Sequence, residues 1–324
     1  MRRHLSRRTL LLGAGALTLA ACTRTEPEDT TGPSPSVRTA TPEPTPEAEL
    51  LPDVTAWQPG PNEVQPEAKI AAVRCVEALG NVDSMSPITS ERLSEIGVDP
   101  SLADRVGDLV IPAVPAATQI VYPQYGGLTP TAVSVMVVAD QFWLHPDSQQ
   151  VEQRTITADI RLAANAGQWA VTDIRPVPYN DLDSQAATGP AWELLDHSDV
   201  RLPNAAQSDL IAGIIAPEVA QILLALAATY RIDVTAFSAG HPEEVFGTKR
   251  TSNHTRGRAV DVWAVNDVPV IDMSPDDPLL QEFLTAARDL GSDEIGGPTD
   301  PDGPGGVHFT DALHRDHVHI GFDP

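Results

Sequence analysis

Three stretches of alternating polarity constrain this chain more than any other feature. Residues 132–143, 154–163 and 168–174 each set apolar and polar side chains at alternate positions. In the middle stretch Ile156, Ala158, Ile160 and Leu162 share one face, while Thr155, Thr157, Asp159 and Arg161 share the other. A period of two is that of a β-strand, and an apolar face opposite a polar one suits an antiparallel sheet covered on one side. Asn165-Ala166-Gly167 supplies turn residues between the second and third stretches, which predicts a hairpin there. Upstream, residues 66–79 read as a helix, with Glu67 in the first turn and Ile70, Val73, Val76 and Leu79 at intervals of three. The Pro-rich passage between helix and strands carries no clear period.

A helix laid on a meander of long strands resembles the cystatin-like or nuclear-transport-factor-like α+β fold, and the resemblance covers residues 57–200. No catalytic constellation is visible in that region, so spacing, partner contact or dimerisation is its expected work. Near residue 200 the character of the sequence changes. A helix signal at Pro203-Asn204 is followed by one over 217–230, where Val219, Ile222, Leu223 and Leu226 form an apolar stripe. A strand at 233–237, a helix at 279–290 and an alternating segment at 317–322 complete a second expected α+β domain, 201–324.

The N-terminal residues predict a protein exported from the cytoplasm. Arg2, Arg3, Arg7 and Arg8 precede an apolar run over 10–21, and no acidic residue occurs before Glu26. That run falls short of the roughly 20 residues needed to span a bilayer and ends in small side chains, as a cleavable signal over 1–21 does. Residues 6–12 resemble a twin-arginine export signal, and Leu19-Ala20-Ala21-Cys22 resembles the lipobox of bacterial lipoproteins, which implies acylation of Cys22. The block 22–56 is then the lipidated cysteine and a stalk; residues 23–52 contain seven prolines among Thr, Ser and Glu. Losing four arginines from a chain of formal charge -24 leaves -28, which argues against a nucleic-acid partner. With Cys22 acylated only Cys75 remains, so no disulfide forms within the chain; Cys75 reads as a small buried hydrophobe.

Chemistry concentrates at two places in the last quarter. The first is Ser252-Asn253-His254-Thr255-Arg256-Gly257-Arg258-Ala259-Val260-Asp261. Gly257 can turn the chain so that His254 and Asp261, seven apart, converge if Asp261 lies on a strand. The second is His314-Arg315-Asp316-His317-Val318-His319, where strand geometry puts His317 and His319 on one side, with Val318, Ile320 and Phe322 on the other. Two imidazoles and a carboxylate suit zinc and leave a fourth position open, the mark of a catalytic site. A surface or buried-polar role fits either half alone equally well.

Ser-x-His-x-x-Gly-x-Ala-x-Asp followed by His-x-His near the C-terminus resembles the zinc D,D-peptidases of bacterial cell walls, whose fold the Hedgehog signalling domain shares. The match comprises Ser252, His254, Gly257, Ala259 and Asp261 without a gap, then His317 and His319. It implies His254, Asp261 and His319 as zinc ligands, His317 as the residue that steadies the oxyanion, and peptidoglycan stem peptides as substrate. It further implies a D,D-carboxypeptidase or endopeptidase tethered to the outer face of the cytoplasmic membrane. Where several members place a Glu as general base, this chain has Asp316, so either Asp316 or His317 is expected to move the proton. The family's Ser-Gly-Tyr-Arg run is replaced by Phe237-Ser238-Ala239-Gly240-His241-Pro242, which lacks the arginine. Lys249, Arg250, Arg256 and Arg258 cluster nearby and offer a pocket for an anionic group; Lys249, Arg250, Ser252 and Arg256 are the expected substrate contacts. His241 and His314 read as surface or supporting residues. Two competing expectations keep the same ligands: a non-catalytic, metal-containing wall-binding lipoprotein, and a hydrolase of some other envelope phosphate or amide.

Overall fold

The computed structural model describes residues 50–83, 85–112, 115–180 and 182–323, which belong to one compact unit spanning 47–324. Cys22, the signal over 1–21 and the stalk up to residue 49 lie outside the described residues. Helices α1 (Pro66–Gly80) and α2 (Thr89–Glu95) precede an antiparallel meander of β1 (Ala116–Leu128), β2 (Ala132–Leu144), β3 (Val151–Asn165) and β4 (Gln168–Pro176), paired in chain order. The predicted hairpin joins β3 to β4: Asn165 faces Gln168, and Ala166 and Gly167 both take positive φ, 49° and 84°. Two left-handed residues make the tight loop whose twist matches its strands.

After α3 (Pro190–Leu195) come β5 (Val200–Arg201), α4 (Asn204–Ile211), α5 (Pro217–Ala227), β6 (Ile232–Ala236), β7 (Ala259–Val265) and β8 (Val268–Pro269). The chain ends through α6 (Pro278–Asp289), β9 (Glu294–Gly296) and β10 (Val318–Gly321). The second sheet runs β5-β6-β7-β10-β9 with β8 against β7; β5 and β6 are parallel and the other pairs antiparallel. The architecture is mixed α+β. Sequence reading missed β1, because Pro123, Gly126 and Gly127 interrupt it and two register shifts destroy its alternation.

Each sheet has its own apolar core. Val73, Val76 and Leu79 of α1 pack on Val133, Val135 and Val137 of β2 and Ile156, Ala158 and Ile160 of β3. Cys75 is fully buried there, and burial pushes its thiol up to about 12. Around the second sheet, Val219, Ile222, Leu223 and Leu226 of α5 meet Leu280, Phe283 and Leu284 of α6 over Val260, Val262, Val318 and Ile320.

The polar face of the meander is not a solvated face. Ser134, Thr157 and Asp159 are buried along with Met136. Residues of the C-terminal half cover that side. Tyr122 of β1 stacks on Trp263 of β7 with ring centroids 4.9 Å apart, and β1 passes Phe246 so closely that a Cβ at Gly127 would sit 2.2 Å from its ring. Only glycine permits that approach. Residues 57–200, in which the sequence shows no catalytic constellation, nonetheless reach the chemistry: β1 runs against the elements that carry His254, Asp261 and His319.

Candidate metal centre

Strands β7 and β10 are antiparallel neighbours, and their register sets His319 directly opposite Asp261. Side chains opposed in this way have Cβ atoms only about 5 Å apart. Val260, Val262, Val318 and Ile320 point the other way into the core and fix that orientation. His254 arrives from the turn before β7. Gly257 has φ 66°, its N–H donates to the His254 carbonyl at 2.9 Å, and its own carbonyl accepts from Ala216 N–H at 2.8 Å. A Cβ there would lie 1.9 Å from the Ile214 carbonyl oxygen, so the turn demands glycine for both φ and space.

Three donor atoms converge as a result. His254 Nε2 lies 3.1 Å from Asp261 Oδ1 and 3.0 Å from His319 Nδ1, and His319 Nδ1 lies 3.1 Å from Asp261 Oδ1. Ligand atoms bonded tetrahedrally at 2.0–2.2 Å stand about 3.3–3.5 Å apart, so this triangle needs to open by only a few tenths of an ångström to take an ion. The remaining polar atom of each group is also engaged. His254 Nδ1 bonds the Phe237 carbonyl, Gln124 Nε2 donates to Asp261 Oδ2 at 2.7 Å, and His319 Nε2 lies 3.3 Å from Glu294 Oε1. Such outer partners fix the tautomer and orientation of metal-binding groups. One of them, Gln124, comes from β1.

A third imidazole joins the cluster. His241 stacks on His254 with centroids 3.8 Å apart, and its Nδ1 is 2.9 Å from the Pro242 carbonyl. His241, His254 and Asp261 offer ligand atoms that all lie within 4.8 Å of one another, a His/His/Asp cluster that can hold a metal ion. The sequence reading kept His241 outside the site. Asp209 of α4 brings it in, by accepting the Ser238 and Ala239 N–H groups at 2.9 and 2.8 Å and so folding the turn that leads to it.

The electrostatics follow from burial and proximity. Burial pulls His319 down, but its hydrogen bonds to Asp261 and Glu294 prevail and raise it to about 9. The His319 hydrogen bond holds Glu294 down to about 2. Burial would raise Asp261, yet His254 and His317 beside it keep its carboxyl well below the ordinary range. Burial, reinforced by His254, holds His241 well below the usual imidazole value. Asp261 thus offers an anionic oxygen and His241 a neutral nitrogen, while His319 carries a proton in the metal-free cluster that a bound divalent cation would displace.

His317 lies on the same side, its Nε2 3.7 Å from Asp261 Oδ1. Its Nδ1 donates to Asp316 Oδ1 at 2.7 Å. The other Asp316 oxygen accepts from Lys69 Nζ at 2.7 Å and from Tyr125 N–H at 3.1 Å. Asp316 is 1 % exposed and sits behind His317, facing α1 and β1. Burial alone would raise its carboxyl; Lys69 first, then His317, hold it low.

The four-residue basic pocket does not assemble. Arg250 lines the cleft above the cluster, which Ser252, His241, His314 and His317 also border. Ser252 Oγ accepts the His254 N–H at 3.2 Å, which makes it a brace of the turn. Arg256 bonds Asn253 Oδ1 at 3.0 Å, Arg258 bonds the Phe322 carbonyl at 3.3 Å and lies 3.7 Å from Glu218, and Lys249 is exposed away from the cleft. His314, read as a supporting residue, bonds Asp311 at 2.8 Å at the cleft wall. The cleft opens into a groove lined by Leu128, Phe246, Phe309 and Leu313, and Arg250 borders both.

Among the described residues no helix is long and apolar enough to cross a membrane. Comparison with protein-family models, curated proteins and solved structures finds no match to this chain. The class defined by the fold and the site is a mixed α+β protein with a buried His/His/Asp cluster at the floor of a cleft, competent to hold a metal ion.

Proposed function

We propose that this protein is a zinc-dependent peptidase of the D,D type, a carboxypeptidase or endopeptidase acting on peptidoglycan stem peptides. The observation that carries the reading is the triangle of His254 Nε2, Asp261 Oδ1 and His319 Nδ1 with edges of 3.0–3.1 Å, each group braced from behind, at the base of an open cleft. Those three residues would hold the zinc, which when bound supplies Lewis acidity toward a scissile carbonyl and a lowered pKa, ~7, for water. His317 is the base: its Nδ1–H is engaged by Asp316, so Nε2 is the nitrogen free to take a proton from the attacking water and return it to the leaving amine. Asp316, the alternative base, has both oxygens committed and orients His317 instead. Arg250, at the junction of cleft and groove, is placed to pair with the terminal carboxylate of a stem peptide. The apolar groove would receive the adjoining residues. Export through the N-terminal signal and anchorage through Cys22 would place the site outside the cytoplasmic membrane.

A second reading is favoured by His241. If its Nε2 is a fourth ligand, the coordination is closed, as structural sites are, and the protein is a metal-containing wall-binding lipoprotein without turnover. One experiment separates the two: metal content of the full-length chain with and without His254→Ala, followed by digestion of isolated muropeptides, with phosphoesters assayed alongside. About one equivalent of zinc, lost in the variant, with zinc-dependent release of D-Ala or stem fragments supports the peptidase. Zinc bound without cleavage moves the conclusion to the binding protein, and failure to bind zinc refutes both.

A further inference from the structure

Lys69 is 0 % exposed, one of the largest side chains fully buried in the described residues, and it is a lysine. It rises from α1, the helix that packs on the meander, and its Nζ lies 2.5 Å from Glu63 Oε2 and 2.7 Å from Asp316 Oδ2. The ammonium also sits over the rings of Tyr122 and Tyr125, 4.8 and 5.0 Å from their centroids. Tyr125 of β1 adds its backbone N–H to the same Asp316 oxygen. A buried ion pair is a poor way to gain stability, because desolvation of the charges consumes most of their attraction and an apolar pair of equal volume is often as good. This pair ends on the carboxylate that holds His317, so its position favours a role in the site.

We propose that Lys69 is a positioning residue for the reaction, acting through Asp316 on His317. The chain of contacts is Lys69 Nζ, Asp316 Oδ2, Asp316 Oδ1, His317 Nδ1, with His317 Nε2 then aimed at the Asp261 side of the cluster. Lys69 and the Tyr125 N–H fix one carboxylate oxygen, which leaves the other to keep the proton of His317 on Nδ1. Without Lys69, Asp316 Oδ2 keeps only the Tyr125 N–H, so the carboxylate is free to turn and His317 loses its orientation. The meander and its helix thus complete the catalytic group that the C-terminal strand begins. This inference rests on the peptidase reading for its activity arm, and on geometry alone for its spectroscopic arm.

The test uses the zinc-loaded full-length chain. Lys69→Met is combined with Glu63→Gln, so that the buried net charge is kept and the variant is not left with two facing carboxylates. The expected result is wild-type zinc content, KM within about twofold, and kcat lowered about 10²-fold, the usual scale for a proton-transferring group that is misplaced. Added to Asp316→Asn, the pair of changes lowers kcat no further, because both act through the same carboxylate. In isotope-labelled histidine spectra, the His317 proton on Nδ1 in the wild type redistributes between the two ring nitrogens in the variant. Unchanged kcat, losses that add to those of Asp316→Asn, or an unchanged His317 tautomer would overturn the proposal. A wild type that cleaves nothing refutes the peptidase reading alone; the tautomer comparison then still decides whether Lys69 positions His317.

Discussion

Replacing Gln124 by Leu tests whether the meander takes part in metal binding, because Gln124 of the first sheet touches a proposed ligand directly. Its Nε2 donates to Asp261 Oδ2 at 2.7 Å in a region where both side chains are fully buried. Leu occupies nearly the same volume but offers no donor, so the change removes one hydrogen bond and leaves Oδ2 without a partner in the interior. The Asp261 carboxylate is then free to rotate about its Cβ–Cγ bond, and Oδ1 no longer meets His254 and His319 in the orientation fixed at 3.1 Å from each. Changes to outer partners of this kind cost about 10–100-fold in metal affinity. That range corresponds to about 1.4–2.8 kcal/mol. The stranded carboxylate oxygen adds about 1–3 kcal/mol of destabilisation to the fold itself.

The assay is zinc competition against a chelator of known affinity, run on wild type and Gln124→Leu, with thermal unfolding of the metal-free forms to follow stability separately. The reasoning expects weaker zinc binding and a lower unfolding temperature together. Gln124→Glu should do worse than Leu, since it sets a second carboxylate against Asp261 where the partner must be a donor. Zinc affinity within twofold of wild type in Gln124→Leu would refute the claim that β1 braces the site.

Other perturbations reach different parts of the argument. Gly257→Ala must absorb a left-handed φ of 66° and a carbonyl oxygen 1.9 Å from the new Cβ, so a loss of more than about 3 kcal/mol in urea unfolding is expected, with loss of metal. His241→Ala distinguishes open from closed coordination: zinc retained within tenfold supports the three-ligand site, and loss comparable to His254→Ala supports four. The metal-free protein should be most stable between about pH 4.5 and 6.5. Glu294, held at about 2, contributes stability present above its ordinary value and lost as pH falls toward 2. His319, raised to about 9, contributes stability present below its ordinary value and lost as pH rises through 9. Glu294 is held down by His319, while His319 is raised by Asp261 as well as by Glu294, so the two contributions overlap and are counted once, on the order of 2–3 kcal/mol. Denaturant midpoints across pH check it, and a flat profile would refute it. If the lipobox reading is right, Cys22→Ala moves the protein from the membrane fraction to the soluble one on fractionation.

Part of the site was legible in the sequence because Asp261 and His319 lie on paired strands. Asp261 in an alternating run and His317 and His319 two apart fix their own directions, and Gly257 marks the turn that returns His254. What escaped reading depends on contacts between distant segments. His241 enters through Asp209, a residue of α4 that looks like any helix-surface acid until it is seen accepting the Ser238 and Ala239 N–H groups. The basic cluster failed for a related reason: neighbours within ten residues along a turn point in several directions, and Arg256 and Arg258 are spent on Asn253 and Phe322.

The largest misreading concerns the polar face of the meander, and its cause is physical. Alternation of apolar and polar residues reports two different faces, and the polar one is usually assigned to water. It fits equally well against another part of the chain if each polar group finds a partner there. Asp159 finds its partners within the meander, Ser134 at 2.6 Å and Arg161 at 2.6 Å, whereas Gln124 reaches across to Asp261. A buried polar group without a partner costs several kcal/mol, so Gln124, whose partner lies on the second sheet, helps to set how that sheet docks onto the first. The same accounting explains why β1 is irregular. Pro123 and two glycines let it bend around Phe246 and present Gln124 and the Tyr125 N–H inward, at the expense of the alternation that would have revealed it as a strand. The element hardest to read in the sequence is one that joins the two halves at the His/His/Asp cluster.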